Sequence, residues 1–545
     1  MTYPSTTLPQ LLEQTAARRP GAAALIYFGA TISYGQLQDH VIRIAAGLQA
    51  MGVGKGDCVA LMMPNCPQFV ISYFGALRAG AIVTATSSMY TAREAALQWN
   101  DAGVKVVIAD RRRLPVVRAA LSSLATTPRI VLIGMRQYYP HRFGELCASL
   151  NVSPERRQFK ASKSASCGPA QTTAPAIHSW EELLSMAQAP RPEDSIPSDV
   201  ACLQYTGGTT GSSKGAMLTH ANLAINARQT SDWLAMGQCG AEVVVAALPL
   251  SHIYAMTCVM ISSVLSGGSV VILPRFELRA ALNVIRKYHP AIFHGVPTMY
   301  VAFNQTPHVE RYGFNSMRIC MSGGAPLPVD VREKFEALTG GKLVEGYGLT
   351  EASPVTHINL PSGSPKVGSI GLPVEDTDAR IMDLETGLCE VADGEIGEIV
   401  IRGPQVMKGY WNKPEETARV LHDGWLYTGD IARKDADGYF YIVDRKKDLI
   451  IAGGYNVYPR EVEEVLWEFP KILEAVVIGV PDSYRGETVK AFVVLKPGAP
   501  ATVDEIITFC RGRLAAYKVP RQVVFRDSLP KSSVGKYLRR ALRNL

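Results

Sequence analysis

Apolar residues return every three to four positions from Leu8 to Arg19 and again from Tyr34 to Met51, the spacing of a helix with one buried face. Asp57-Cys58-Val59-Ala60-Leu61-Met62 then runs almost wholly apolar, as a strand covered on both faces does, and another helix follows it. Similar short runs recur at Val104 to Ala109, Ile130 to Ile133, Val243 to Leu248 and Ser269 to Leu273. Strand and helix signals keep alternating, so the chain reads as α/β, a large N-terminal domain of layered α/β subdomains followed by a smaller α+β one. Two stretches break the rhythm. Residues 154–175 mix Arg156, Arg157, Lys160 and Lys163 with Ser, Ala, Thr and Pro and carry no apolar period. They read as a surface loop or, since they follow Tyr138, Tyr139 and Phe143, as a patch for peripheral membrane contact. Asp435-Ala436-Asp437-Gly438 and the aromatic strand Tyr439 to Val443 lead into the charged run Asp444-Arg445-Lys446-Lys447. Roughly 100 residues with their own strands follow, an ordinary size for a domain. The expected division is 1–443, a junction at 444–447, and 448–545.

Composition changes this picture little. With 545 residues, 47% of them hydrophobic and 19% charged, the chain has the balance of a globular protein with several subdomains. The 34 prolines and 47 glycines are scattered among turns, without a repeat. The start, Met1 to Leu8, lacks the pattern of a signal peptide, and no apolar run approaches the roughly 20 residues of a spanning helix. A cytoplasmic protein is expected, with an optional peripheral attachment at the inner membrane face. The 10 cysteines show no C-x-x-C pair, so reduced thiols are expected rather than disulfides or zinc. A net charge of +7 suits anionic ligands or an anionic surface, but Lys and Arg are dispersed, so no nucleic acid partner is expected. A homodimer is left open.

The chemistry concentrates in Tyr205-Thr206-Gly207-Gly208-Thr209-Thr210-Gly211-Ser212-Ser213-Lys214-Gly215. Glycines let backbone N–H groups turn toward an anion, while threonine hydroxyls and Lys214 add donors and charge. Val200 to Gln204 reads as a strand before it and Met217 to Ala235 as a helix after it, the order that phosphate loops favour. The pattern G-x-x-x-x-G-K-[ST] is not met, so this is not a Walker loop. Further segments follow in order: Leu248-Pro249-Leu250-Ser251-His252-Ile253-Tyr254, Ser322-Gly323-Gly324-Ala325-Pro326-Leu327, Glu345-Gly346-Tyr347-Gly348-Leu349-Thr350-Glu351, and Tyr427-Thr428-Gly429-Asp430. Asp444-Arg445-Lys446-Lys447-Asp448, Gly453-Gly454-Tyr455-Asn456-Val457-Tyr458-Pro459 and Pro530-Lys531-Ser532-Ser533-Val534-Gly535-Lys536 lie beyond.

Taken together these segments resemble the adenylate-forming superfamily over nearly the whole chain, and most closely its bacterial-type medium- or long-chain fatty acyl-CoA ligases. The resemblance implies activation of a carboxylic acid by ATP to acyl-AMP, then transfer to CoA. It implies ATP or AMP binding by Thr206, Gly207, Gly208, Thr209, Thr210, Gly211 and Lys214, with Gly323, Gly324 and Ala325 facing an adenine stacked on Tyr347. Asp430 would accept from the ribose hydroxyls and Arg445 would approach the same ribose. Lys536 would reach both the carboxylate and the α-phosphate, Thr350 would donate to that phosphate, and Glu351 would hold a Mg2+ that arrives with ATP. His252 would orient the acyl carboxylate, Gly453 and Gly454 would leave room for the CoA arm, and Lys447 would be the pivot of a mobile C-terminal domain. Each residue type has an ordinary alternative: a packed tyrosine or histidine, a solvated aspartate, a simple glycine turn. Their weight comes from the ordered set.

The loop departs from the common family pattern at Gly207, where many members have serine, and at Ser213, where many have proline; both are familiar in the fatty acyl branch. The acyl pocket has no motif. Tyr254, Met256, Val296, Met299 and Tyr300 are the candidates, and they leave three readings open: a fatty acyl-CoA ligase, a hydroxycinnamate-like aryl-CoA ligase, or an adenylating enzyme that loads a carrier protein.

Overall fold

Parallel strands buried on both faces dominate the architecture. The computed structural model describes residues 6–140, 176–186, 189–191, 194–206, 213–236, 242–361, 366–446, 448–452, 455–482, 486–532 and 537–543. Among them, one sheet of seven strands and one of nine, both mostly parallel, form the bulk of the molecule. Cys58–Met62 lies between Ile82–Ala85 and Val104–Asp110 in the first, and Val243–Ala246 pairs with Ser269–Ile272 in the second, all in parallel. The period of two is visible in the packing. Val59 and Leu61 join the main core with helices Tyr34–Ala50 and Pro67–Arg78, while Cys58, Ala60 and Met62 face Trp99 and Val117 on the other side. The expected helices at the N-terminus are Leu8–Arg18 and Tyr34–Ala50, each opened by a hydroxyl and glutamine capping box, Thr7 with Gln10 and Ser33 with Gln36.

One expectation fails. Met217 does not begin a helix: Lys214–Thr219 is a strand, antiparallel to Val200–Thr206, and the helix runs from His220 to Trp233 behind a Thr219 and Asn222 capping box. The candidate phosphate loop therefore links two strands of a hairpin instead of leading into a helix N-terminus. Two partners hold it as a strand: Val200–Thr206 on one edge and residues 408–411 on the other, where Met217 N–H donates to Gly409 O at 2.8 Å and Trp411 N–H to Gly215 O at 2.8 Å. Local apolar periodicity, continuous from Met217 into the helix, carries no trace of either partner.

A third sheet, of five strands, includes Trp425–Lys434 and Phe440–Arg445, and a fourth is built from strands after residue 449. The fourth is small and again packed on both faces, Val477, Ala491 and Val493 on one side and Val476, Phe492 and Val494 on the other. The chain is thus mixed α/β, with a large N-terminal and a small C-terminal part. The helix Pro459–Trp467 is tied back to the third sheet, because Arg460 donates its backbone N–H to Asp444 Oδ2 at 2.7 Å and Nη1 to Ile442 O at 2.8 Å.

Candidate active site

Strand ends bring the nucleotide candidates together. Tyr347 lies on Lys342–Gly348, and its hydroxyl donates to Asp430 Oδ2 at 2.6 Å. Asp430 is 5% exposed and faces Arg445 across an antiparallel register, with Arg445 Nε 3.1 Å from Oδ1. Burial and the adjacent carboxylate push the Tyr347 phenol far above its ordinary range, so it stays a donor. The Asp430 charge raises the Arg445 pKa further, which keeps the guanidinium charged. Ser322-Gly323-Gly324-Ala325 leaves the neighbouring strand Ile319–Ser322, with Gly324 at φ +79°, where a side chain would strain the turn. A Cβ on Gly323 would lie 3.2 Å from the Tyr254 ring, so the candidate nucleotide wall is packed directly against the acyl candidates.

The phosphate end is a chain of charged groups. Thr206 ends its strand and its carbonyl accepts from Ser213 Oγ at 2.7 Å; Gly207, Gly208, Thr209, Thr210 and Gly211 lie outside the described residues. Lys214, opposite Thr206 in register, pairs with Glu416 and sits 4.9 Å from the Tyr410 ring centroid. Tyr410 in turn donates its hydroxyl to Glu351 Oε1 at 2.8 Å, and Met407 N–H holds the Glu351 carbonyl at 2.7 Å. Thr350 and Glu351 share a short helical turn, Thr350–Ala352. Glu351 also lines a cavity of about 430 Å³ together with Tyr410, Arg419, Thr428, Gly429 and Lys446. No cluster of three His, Cys, Asp or Glu side chains suited to a metal occurs among the described residues. Glu351, one of three glutamates on this cavity with Glu385 and Glu398, the last already paired with Lys446, fits as a single protein ligand to an ion that keeps phosphate and water oxygens as its other ligands, which is how magnesium accompanies ATP.

The acyl candidates are quieter. His252 caps the turn Ile253–Ala255, its Nδ1 accepting from Tyr254 N–H at 3.2 Å. Tyr254 and Tyr300 both donate to the Met321 carbonyl at 2.9 Å, pinning the strand that leads to Gly323. Met256 and Tyr300 are fully buried, and Val296 and Met299 nearly so. His294, which the sequence reading passed over, is fully buried against Tyr254 with ring centroids 5.8 Å apart; neither of its nitrogens has a hydrogen-bond partner, and burial lowers its pKa to about 4.

Lys447, Gly453, Gly454 and Lys536 lie outside the described residues, as does the basic 154–175 stretch. Around Lys536, Lys531 and Tyr537 form an antiparallel bridge, and Arg539 donates twice to Glu463, at 2.7 Å to each carboxylate oxygen. Tyr410, Glu416 and the Lys446 to Glu398 ion pair, 2.8 Å long, were not singled out from the sequence. Tyr410 does follow the last glycine of an apolar and basic run, but nothing local marks its partner Glu351, 59 positions away.

The sequence profile of AMP-binding enzymes matches residues 12–411, and that of the AMP-binding enzyme C-terminal domain matches residues 461–536. The chain belongs to the AMP-binding enzyme family. Relatives within that family include the long-chain-fatty-acid–CoA ligase of Bacillus subtilis (strain 168), 47% identical over 99% of this chain and 94% of the relative. The long-chain-fatty-acid–CoA ligase of Escherichia coli O157:H7 is 38% identical over the same shares. Among solved structures, ATP-bound MatB from Rhodopseudomonas palustris superposes with a TM-score of 0.84 at 30% identity, covering 99% of both chains. This AMP-binding enzyme therefore has ATP, an acyl substrate and CoA as its expected ligands, and no helix among its described residues is long and apolar enough to cross a membrane.

Proposed function

We propose that this enzyme is an AMP-forming fatty acyl-CoA ligase: fatty acid and ATP give acyl-AMP and pyrophosphate, and CoA then takes the acyl group and releases AMP. The single observation that carries the reading is the buried Tyr347, Asp430 and Arg445 cluster, set next to the Lys214, Tyr410 and Glu351 chain. It supplies carboxylate oxygens for two ribose hydroxyls, an aromatic face for the base and cationic donors for phosphates.

In the first half-reaction a carboxylate oxygen attacks the α-phosphorus and the bond to pyrophosphate breaks. Two anions must meet, so cations and fixed donors have to face the charge that develops. Lys536 bridges the carboxylate and α-phosphate, Thr350 donates to the same phosphate, and Lys214 with the loop backbone holds the leaving group. A magnesium ion at Glu351 would draw charge from the departing pyrophosphate. His252, anchored by its contact with the Tyr254 N–H, orients the fatty carboxylate. In the second half-reaction the CoA sulfur attacks the acyl carbon, its proton leaves and AMP departs; rotation about Lys447 brings Gly453 and Gly454 to the thiol path. The fatty chain lies along Tyr254, Val296 and Met299. Use of ATP and CoA suits a cytoplasmic enzyme, with membrane contact only as a means of collecting fatty acid.

The test is pyrophosphate release with acids from acetate through palmitate to coumarate, with and without CoA. A maximum among medium- or long-chain acids, with acyl-CoA and AMP formed when CoA is present, is the expected result. A maximum at coumarate would favour an aryl ligase, and pyrophosphate release that never yields acyl-CoA would favour loading of a carrier protein; either outcome overturns the proposal.

A further inference from the structure

Glu416 has no role in the reaction as derived so far, yet it touches the one described lysine of the phosphate loop. Its Oε2 is ion-paired with Lys214 Nζ, and the two side chains are 31% and 17% exposed. Its Oε1 accepts from Arg419 Nη1 at 2.5 Å, and the charge of Lys413 also acts on it. The hydrogen bond from Lys214 holds the Glu416 carboxyl below its ordinary range, so it is an anion at neutral pH. Lys214 lies over the Tyr410 ring, and Tyr410 donates to Glu351, so the pair stands one residue from the carboxylate assigned to the metal.

An ammonium at the end of a polyphosphate loop, already neutralised by a carboxylate, presents a physical conflict. A phosphate that approaches Lys214 meets the Glu416 charge at the same time, and like charges at contact distance repel strongly outside bulk water. Glu416 has somewhere else to go, however. Arg419 is 67% exposed and already bound to the other carboxylate oxygen, so the carboxylate keeps a cationic partner when Lys214 is withdrawn. The short helix Pro414–Ala418 that carries it lies at the surface, exposed at Pro414, Glu415 and Ala418 and half-buried at Glu416 and Thr417, with no residue fully buried, which leaves the side chain room to turn.

We propose that Glu416 is an internal stand-in for phosphate: it occupies Lys214 in the resting enzyme, gives the lysine up to the triphosphate of ATP, and reclaims it as pyrophosphate leaves. This rests on the ATP-dependent activity proposed above and extends it to the release of the leaving group. Glu416 is then a positioning residue that weakens phosphate binding at both ends of the first half-reaction. It keeps the site from being blocked by its own inorganic product.

The test is calorimetric titration of the whole enzyme, without acyl substrate, using ATP and separately inorganic pyrophosphate, for wild type, Glu416→Gln, Lys214→Gln, Glu415→Gln and the double variant Lys214→Gln/Glu416→Gln. Glu416→Gln should bind both ligands roughly threefold to tenfold more tightly, the size of a half-buried ion pair no longer sacrificed. The gain should shrink with added salt and vanish in the double variant relative to Lys214→Gln alone. Glu415→Gln, whose side chain points to solvent, should match wild type. A purely structural Glu416 would lower the melting temperature without tightening either ligand. Unchanged or weaker binding in Glu416→Gln overturns this inference alone, whereas no ATP binding by any of the proteins overturns the proposed activity together with it.

Discussion

The two walls of the site differ in kind. On the nucleotide side, Tyr347, Asp430, Arg445, Lys214, Tyr410 and Glu351 hold one another through directed hydrogen bonds and ion pairs. On the candidate acyl side, Tyr254, Met256, Val296, Met299 and Tyr300 are packed core residues, and two tyrosine hydroxyls donate to backbone carbonyls, Tyr254 to Met321 and Tyr300 to Met321 and Phe293. A charged ligand of fixed shape requires particular groups at particular places. An alkyl chain requires only volume, which many combinations of side chains supply. The two walls meet at Met321 and Gly323, so acyl-side packing fixes where the nucleotide wall stands.

If the nucleotide side carries the chemistry, its loss should dominate. Lys536→Ala should lower acyl-AMP formation by about 10²–10³, the usual scale for removing a group that meets developing charge. Thioester formation from supplied acyl-AMP should survive within a few-fold, and equal loss of both half-reactions, measured separately, would count against the role. Asp430→Ala strips the ribose acceptor and leaves Arg445 and the Tyr347 hydroxyl without their partner. The KM for ATP should rise by about 10-fold to 100-fold while that for fatty acid stays within twofold, since charge-assisted hydrogen bonds are worth about 1.5–3 kcal/mol each. Lys447→Pro should slow thioester formation about tenfold more than adenylation, the scale of a conformational step made rate-limiting; an unchanged ratio would remove the pivot.

The same asymmetry explains what the sequence disclosed. Buried strands such as Cys58–Met62 and the capped helices were legible because their signals are local. The candidate nucleotide residues could be named because motif spacing survives in the chain. The strand at Lys214–Thr219 was not legible, because its apolar pattern runs on into the helix while its backbone is held between Val200–Thr206 and residues 408–411, and the Lys214 to Glu416 and Tyr410 to Glu351 contacts join positions 202 and 59 residues apart. His294 was overlooked for a related reason: a lone histidine in an apolar run carries no sign of whether a partner awaits it.

The acyl side should respond in specificity more than in rate. Val296→Phe should shift the preferred acid toward shorter chains and alter the KM for ATP less than about twofold, read from kcat/KM across a chain-length series; a uniform fall across all lengths would take Val296 out of the pocket. The smallest expected effect is on stability. Burial lowers the pKa of His220 and His294 to about 4 and that of His357 to about 3, whereas in the unfolded chain each titrates near 6.5. The unfolded state therefore binds more protons below about pH 6.5, and stability present above that pH is lost as pH falls toward 4. His294→Leu should reduce this loss by about 1–2 kcal/mol at pH 5, measured as the change in urea midpoint between pH 7.5 and pH 5.

The most direct test of the central claim, acyl-adenylate chemistry on the nucleotide wall, is isotope exchange between pyrophosphate and ATP with palmitate and magnesium present and CoA absent. The account predicts exchange that depends on the fatty acid, needs no CoA and is abolished with Lys536→Ala. Exchange that appears only when CoA is added, or turnover that yields ADP and phosphate in place of AMP and pyrophosphate, would contradict it.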